Sequence, residues 1–373
     1  MTTSFTQEFN WIRLQMPLVQ KALEKLPRLD GVRLACSVHL EIKMVQMFEA
    51  LMERGAELFL TTCNPKTVRD DVIEYLSKKG ASTHAWFDMS PADYSSGFER
   101  ALDWEPTHLC EMGADLTYTL TRNSDRAKNS KIKASLEATG SGITRLGQLT
   151  PPYPIFNWDD VPIKEGLHNR HMVGLTAWHA FLSRTGLTLH GKRVSVIGFG
   201  LVGRGVADIA RAYGGTVSIV EKDVSRSLEA KYGGWEVKTL NEAILESDVI
   251  VTATGVSNII QSEHFPMMKN GVILMNVGHQ AREIDTSSLL LHSHREIIPF
   301  IREVDLGHKR IYLFAEGSMA NLVAGCGDSF NSFDIILAVM ISGISHIVGA
   351  GSKTSPGVYL LPKAVWEPFV ASN

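Results

Sequence analysis

The sequence predicts an α/β protein of two domains, each built on a parallel sheet, with the second inserted into the first. Three observations predict it. Short β-branched or apolar runs alternate with amphipathic segments of helix length, the punctuation of βαβ units. A glycine-rich turn, Gly198-Phe199-Gly200-Leu201-Val202-Gly203, follows an apolar strand in mid-chain and starts a second such series. The chain's 373 residues also exceed the roughly 250–300 at which a single core stops growing.

In the first series VRLACSVHL, AELFLTT, STHAWF and THLCEMG read as strands, with helices over Glu41–Arg54, Lys66–Lys79 and before THLCEMG. The pattern covers about residues 31–120. LTPPYPIFNWDDVPIKEG, at 149–166, breaks the rhythm and reads as a crossover loop between domains, because it holds prolines and aromatics but little Ser or Gly. A helix from His171 to Thr185 leads into the second series. Its strands are expected at Val194–Ile197, Val217–Val220, Val249–Ala253 and Val272–Asn276, with a helix over Arg204–Tyr213. After about Ala324 the chain returns to helix, and this segment is expected to pack back on the first domain. The expected division is therefore 1–171, 172–326 and 327–373.

Hydrophobic residues make up 44% of the chain and charged residues 21%, the composition of an ordinary globular protein. A net charge of −3 argues against a nucleic-acid or anionic-membrane surface and points to a small-molecule partner. Cys36, Cys63, Cys110 and Cys326 form no C-x-x-C pair, so neither a metal site nor a disulfide framework is expected, and a cytoplasmic location is. No secretory leader is expected at the N-terminus. Ile335–Ala350 is strongly apolar but too short to span a bilayer, and reads as a buried helix.

The glycine-rich turn carries specific chemistry. Gly198 permits the tight turn, Gly200 lets backbone N–H groups approach a pyrophosphate, and Gly203 lets the helix that Leu201 and Val202 begin sit against the strand. At the end of the next strand Glu221 can accept both ribose hydroxyls and would repel a 2′-phosphate, which favours NAD over NADP. Arg226 lies near enough in sequence to reach the same cofactor, and is the one feature that also suits a phosphate.

Several motifs together resemble S-adenosylhomocysteine hydrolase over most of the chain. They are SVHL (37–40), TTCN (61–64), GADLT (113–117), EATGSG (137–142), NWDDVPIKEGLHN (157–169), the glycine-rich turn, TATG (252–255), NVGHQAREID (276–285), AEGSMANL (315–322) and GVYLLPK (357–363). The resemblance implies a substrate domain and an inserted Rossmann domain with a tightly bound, recycled NAD. It further implies oxidation of a nucleoside sugar hydroxyl to a ketone, elimination of the β-substituent, addition of water and reduction back.

Carried over residue by residue, Lys164 matches the family lysine beside the reacting hydroxyl, where a cationic nicotinamide would lower its pKa and suit it as base. Asn169 closes the same motif. His39 and His279 match the histidines near the leaving group, where imidazole exchanges protons at neutral pH. Thr139, Gly140 and Ser141 fall on the threonine run that contacts NAD. Thr254, Gly255, Asn276, Val277, Gly278, Glu316 and Asn321 fall on positions that line or support it. Cys63, Asn64, Glu137 and Phe333 are assigned to the substrate side. Cys63 reads as packing rather than nucleophile, since no base is evident beside it.

The departures lie on that substrate side. Met112 replaces a family aspartate, and Glu111 is one residue too early, facing the other side of a strand. Ala138 replaces the second glutamate of the E-E-T-T-T-G motif. His168 replaces the aspartate before Asn169, which leaves His168 itself as a catalytic candidate. The adenosine-contacting H-M-T-x-E pattern reads His39-Leu40-Glu41-Ile42-Lys43, and Asp328 replaces the histidine of G-H-P. The family's C-terminal tail, which reaches the NAD of a neighbouring protomer, has no counterpart here; a homo-oligomer, dimer or tetramer, is still expected.

The expected function is thus an NAD-dependent, net redox-neutral enzyme acting on a nucleoside other than S-adenosylhomocysteine. It includes the option of a dehydratase that gives an unsaturated nucleoside, as nucleoside-antibiotic biosynthesis would use. True S-adenosylhomocysteine hydrolysis and a catalytically silent NAD-binding regulator are the alternatives.

Overall fold

A computed structural model describes residues 3–371 except Gln280 and Ala281, so two positions of the NVGHQAREID motif lie outside the described residues. The chain forms two compact units, Met1–Lys164 with Phe330–Asn373, and Glu165–Ser329.

In chain order the first unit supplies β1 (Arg33–Val38), β2 (Glu57–Thr62), β3 (Ser82–Thr83), β4 (His108–Glu111), β5 (Ala134–Glu137) and β6 (Pro154–Asn157). The second supplies β7 (Arg193–Ile197), β8 (Thr216–Val220), β9 (Glu236–Val237), β10 (Val249–Thr252), β11 (Val272–Asn276), β12 (Ser293–Ile298), β13 (Ile301–Asp305) and β14 (Arg310–Phe314). The returning segment adds β15 (Gly357–Leu360) to the first unit.

The first sheet has the order β15-β6-β5-β4-β1-β2-β3, and its pairs are parallel. Its inner strands are buried on both faces, which explains their unbroken apolar runs. The expected crossover loop is corrected here: Pro154–Asn157 is a fully buried strand paired with β5. Proline at the first position of a strand costs little, and the apolar run behind it fills the sheet. STHAWF contributes the short edge pair Ser82–Thr83.

The helix Phe330–Val348 threads back through this unit, burying Phe333, Ile336, Leu337, Met340, Ile341 and Ile344 in its core. It is long and apolar enough to cross a membrane, yet 72% of that window is buried inside the protein, so its apolarity is accounted for by packing. Asp334 on it accepts from the Leu18 and Val19 N–H groups, at 3.0 and 2.8 Å, holding the start of the helix Pro17–Glu24.

The second sheet has the order β12-β13-β14-β11-β10-β7-β8-β9. It is parallel from β14 to β9, and β12 to β14 form an antiparallel edge. The sequence does not predict that edge; β12 is exposed along its length and carries charges, so it lacks the apolar alternation that marks a strand. The helix Val173–Thr185 buries Ala177, Trp178, Ala180 and Phe181 in this unit's core. A π-helix, Lys164–Met172, runs straight into it, so Glu165–His171 go with the second unit. Gly327–Ser329 do so as well.

Candidate active site

In the second unit the chain leaves β7 through Gly198 and enters the helix Leu201–Ala212. Gly198 has φ +99°, and a Cβ there would lie 2.7 Å from the Ala253 carbonyl oxygen. A Cβ on Gly203 would lie 1.9 Å from the Gly198 carbonyl oxygen. Gly200 differs: the nearest atom to its Cβ position is Arg226 Nη1 at 3.9 Å, so its backbone borders open space. Open backbone at the start of a twelve-residue helix is the cradle a pyrophosphate needs. Glu221, just past β8, accepts from the Phe199 N–H at 2.7 Å and the Asp223 N–H at 2.9 Å, which fixes the acid at the turn. Arg226 donates its backbone N–H to Asp223 at 2.9 Å.

Beyond β10, Thr254 and Gly255 are held by the fully buried Glu283. Its carboxylate accepts from the Thr254 N–H at 2.9 Å, the Thr254 hydroxyl at 2.7 Å and the Gly255 N–H at 2.7 Å. Beyond β11, Asn276 accepts from Thr252 Oγ1 at 3.0 Å and from the Gly278 N–H at 2.9 Å, and donates to the Gly278 carbonyl at 3.1 Å. It therefore locks the turn through Val277 that ends at half-buried His279. Glu316, at φ +53°, accepts from Arg302 at 3.0 Å. Asn321 is 5% exposed, and its Oδ1 has no donor among the described residues. A buried amide oxygen of this kind calls for a donor, and a nicotinamide carboxamide carries one. The residues present fit NAD.

His168 and Asp328, two of the departures from the family pattern, meet in this unit. His168 Nε2 lies 2.7 Å from Asp328 Oδ2, and His168 Nδ1 lies 2.8 Å from Asn169 Oδ1. Both ring nitrogens are thus engaged, which fixes the orientation of the ring. The resemblance gives a carboxylate at the first position and an imidazole at the second; here the imidazole stands at 168 and the carboxylate at 328, and the two are in contact.

In the first unit β1 lies between β4 and β2, so the strand order reverses there. Parallel sheets bind ligands beyond the carboxyl ends of strands at such a reversal. His39, Glu41 and Lys43 follow β1, Cys63 and Asn64 follow β2, Met112 follows β4, and Lys164 follows β6. His39 Nδ1 is 2.8 Å from Thr67 Oγ1 and 3.5 Å from Cys63 Sγ. Folding therefore does put a base beside Cys63, contrary to the sequence reading. Burial, with Asp115 and Glu137 adding to it, pushes this thiol far up, so it stays neutral and packs. Asn64 accepts from the Lys66 N–H at 3.0 Å and caps the turn that carries Thr67. Lys43 is buried, paired with Glu41 at 2.7 Å and 5.3 Å from the Phe333 ring centroid.

Lys164 is 7% exposed. Its ammonium donates to the Asp159 carboxylate and the Ala138 carbonyl, and lies 5.0 Å from the Trp158 ring centroid. Thr139 donates to Glu137 at 2.7 Å and accepts from the Gly142 N–H at 3.0 Å, with Ser141 Oγ at 3.2 Å. A Cβ at Gly140 would lie 3.2 Å from Asp159 Oδ2, so the Thr139–Ser141 loop approaches the lysine's partner closely.

The sequence places Glu137 on the substrate side, but its oxygens accept from the Gly113 and Ala114 N–H groups at 2.9 Å each and from the Thr139 N–H at 2.8 Å. It ties two strand-end loops together. Burial and neighbouring Glu111 push its carboxyl up to about 8, against the pull of those donors. Glu111 points away to Leu116, Thr117 and Ser135, as strand alternation requires. Met112 packs its side chain against the core.

Sequence reasoning assigns no role to Asp159, Thr67 or Glu283. Asp159 and Glu283 lie inside the motifs quoted above, so their positions are visible; their partners are not, being 5 and 29 residues away along the chain.

Two family models match the chain: S-adenosyl-L-homocysteine hydrolase over residues 13–146, and its NAD binding domain over residues 179–328. NAD is accordingly the cofactor. Among relatives, the S-inosyl-L-homocysteine hydrolase of Methanopyrus kandleri is 33% identical, over 95% of this chain and 86% of its own. The S-inosyl-L-homocysteine hydrolase of Methanocaldococcus jannaschii is 32% identical, over 95% and 88%. The adenosylhomocysteinase of Archaeoglobus fulgidus is 32% identical, over 96% and 90%. Among solved structures, a dipicolinate synthase chain from Bacillus halodurans has a TM-score of 0.50 at 12% identity, over 85% of this chain and 99% of its own, a likeness of fold alone. Matched in both domains, and by relatives of this identity along nearly its whole length, the chain belongs to the S-adenosyl-L-homocysteine hydrolase family.

Proposed function

We propose that this protein hydrolyses a homocysteine thioether of a nucleoside other than S-adenosylhomocysteine, by an NAD-dependent cycle with no net redox change. The observation that carries it is the buried Lys164 ammonium held between Asp159 and the Ala138 carbonyl. This is a proton-handling amine at the carboxyl ends of the strands, retained while Met112, Glu41, Lys43, His168 and Asp328 depart from the family. Relatives bear names for both inosyl and adenosyl thioethers, so the family chemistry tolerates a change of base.

When bound, NAD supplies the oxidation of the sugar 3′-hydroxyl and the reduction that later restores it. The chain's own part is proton traffic. Lys164 takes the hydroxyl proton as the adjacent carbon is oxidised, and Asp159 keeps the amine in place. The resulting ketone acidifies the C4′–H; loss of that proton expels the 5′-thiolate, to which His39 or His279 gives a proton. Water then adds at C5′, and the ketone is reduced. Thioether and water go in; free nucleoside and homocysteine come out. If water were not added, an unsaturated nucleoside would be released instead.

The test uses protein purified with its NAD. A candidate nucleoside should raise NADH absorbance, and its homocysteine thioether should release a free thiol. Absence of both with every purine nucleoside refutes the reading and favours a silent regulator. Thiol release that is fastest with S-adenosylhomocysteine refutes the change of substrate. An unsaturated product without thiol identifies the dehydratase.

A further inference from the structure

We propose that β15 is the seam of a symmetric dimer, in which it pairs antiparallel with β15 of a second copy of this chain about a two-fold axis at Tyr359. This interface is independent of the reaction proposed above.

The outer strands of the two sheets are β15 and β3 in the first, and β12 and β9 in the second. An outer strand presents a row of N–H and C=O groups that invite another strand, and proteins blunt such an edge by shortness, by charge or by a bulge. β3 and β9 are two residues long. β12 carries His294, Arg295 and Glu296, and its register slips between Glu296 and Ile298. β15 has none of these protections. Gly357-Val358-Tyr359-Leu360 holds no charge, pairs evenly with β6, and leaves Val358, Tyr359 and Leu360 40%, 37% and 54% exposed. A regular, uncharged edge with apolar side chains is the kind that takes on a further strand.

The backbone of β15 identifies that strand. The Leu361 N–H donates to the Asn157 carbonyl at 2.7 Å, so Leu361 faces β6. Backbone groups of alternate residues face opposite sides of a strand. Tyr359 therefore faces β6 too, in register with Phe156, while Val358 and Leu360 turn their N–H and C=O groups outward. These two outward residues flank Tyr359 symmetrically. Pro356 and Pro362 flank it as well, three residues to either side, and neither has an N–H to leave unpaired. Reversed, the segment Pro356–Pro362 is its own complement. Set antiparallel to a second copy, Val358 of each strand exchanges both hydrogen bonds with Leu360 of the other, Tyr359 meets Tyr359, and proline meets proline where the ladder stops. The Val358 and Leu360 side chains then cover each other on one face of the joined sheet. A foreign strand would have to match both proline ends separately, whereas a second copy matches them by symmetry.

The experiment is cysteine cross-linking of the full chain purified with its NAD, in a Cys326→Ser background that removes the exposed native thiol. At the axis the two Tyr359 positions form a non-hydrogen-bonded pair, with Cα atoms about 4.5 Å apart, within reach of a disulfide. Tyr359→Cys should therefore give a covalent dimer on incubation with oxidised glutathione. Val358→Cys should not, because the two copies of position 358 are displaced from each other along the ladder, beyond that reach. In sedimentation the parent should hold an even number of chains. Leu360→Lys should weaken the association at least about tenfold, since it sets an ammonium in an apolar seam, and should leave the melting of the separated chain unchanged. A monomeric parent, equal cross-linking at 358 and 359, or Leu360→Lys assembling like the parent overturns the proposal. If Leu360→Lys does not fold, the comparison of the two cysteine variants decides alone.

Discussion

Alanine at two glycines of the same turn should have opposite effects, and the structure says which is which. At Gly203 an added Cβ would lie 1.9 Å from the Gly198 carbonyl oxygen and 2.9 Å from its carbon. Both are backbone atoms, so neither can swing aside, and the helix must shift away from β7. Such overpacking costs about 3 kcal/mol, which for a domain of this size is a fall of roughly 6–12 °C in Tm. At Gly200 φ is −72°, which any residue adopts, and the Cβ would meet Arg226 Nη1 at an ordinary 3.9 Å. Gly200→Ala should leave the NAD-free protein within about 0.5 kcal/mol of the parent. Its methyl would instead fill the space through which a pyrophosphate reaches the backbone, weakening NAD at least about tenfold, or about 1.4 kcal/mol. Thermal melts of NAD-stripped protein, with and without added NAD, separate the two effects, because the shift on adding cofactor reports affinity. If Gly200→Ala destabilises the stripped protein as much as Gly203→Ala, or retains full affinity, the assignment of the open cradle is wrong.

Lys164→Met should lower turnover by about 10²–10⁴-fold while the purified protein keeps its NAD; a variant turning over at the parent rate would exclude Lys164 as the base. Glu137, its carboxyl pushed up to about 8, holds a proton more tightly folded than unfolded. Its contribution to stability is therefore complete at low pH and lost as pH rises toward 8, by at most about 1.4 kcal/mol per pH unit. His108, pushed down to about 4 by burial, acts in the opposite sense, though only below about 6.5. Stability should therefore fall between about pH 6.5 and 8, and Glu137→Gln should flatten that slope; a parent protein equally stable at both ends of the window contradicts the account. Exchanging His168 and Asp328 should recover stability that either single exchange loses, with a coupling of roughly 0.5–3 kcal/mol in denaturant melts. Additive losses would show that the 2.7 Å contact carries no energy.

The fold is legible where periodicity or special glycine chemistry speaks for itself. The β7 turn announces itself because only glycine suits Gly198 and Gly203, and the central strands because burial on both faces leaves continuous apolar runs. β6 is hidden by the prolines around it, since proline reads as a loop signal although it is harmless at the head of a strand. β12 is hidden for the opposite reason. It is held by pairing with β13 rather than by burial, and backbone pairing leaves no trace in side-chain pattern.

The site divides along a similar line. Residues proposed for their own chemistry, such as Lys164 and Glu221, stand out in the sequence through the motifs that contain them. Residues whose role is a partnership do not. Glu137 reads as a substrate group until the Gly113 and Ala114 amides are seen to occupy it. Cys63 reads as isolated until His39, itself in contact with Thr67, is seen beside it. His168 and Asp328, read singly, are two lost family residues, yet the fold joins them in one 2.7 Å contact. Glu41 and Lys43 show the same logic, each substitution supplying the charge that makes the other tolerable. Random loss of function would scatter unpaired charges through a buried site, at several kcal/mol apiece. Two paired substitutions, in a chain whose Lys164 is still held by Asp159, are what the proposed change of substrate accounts for.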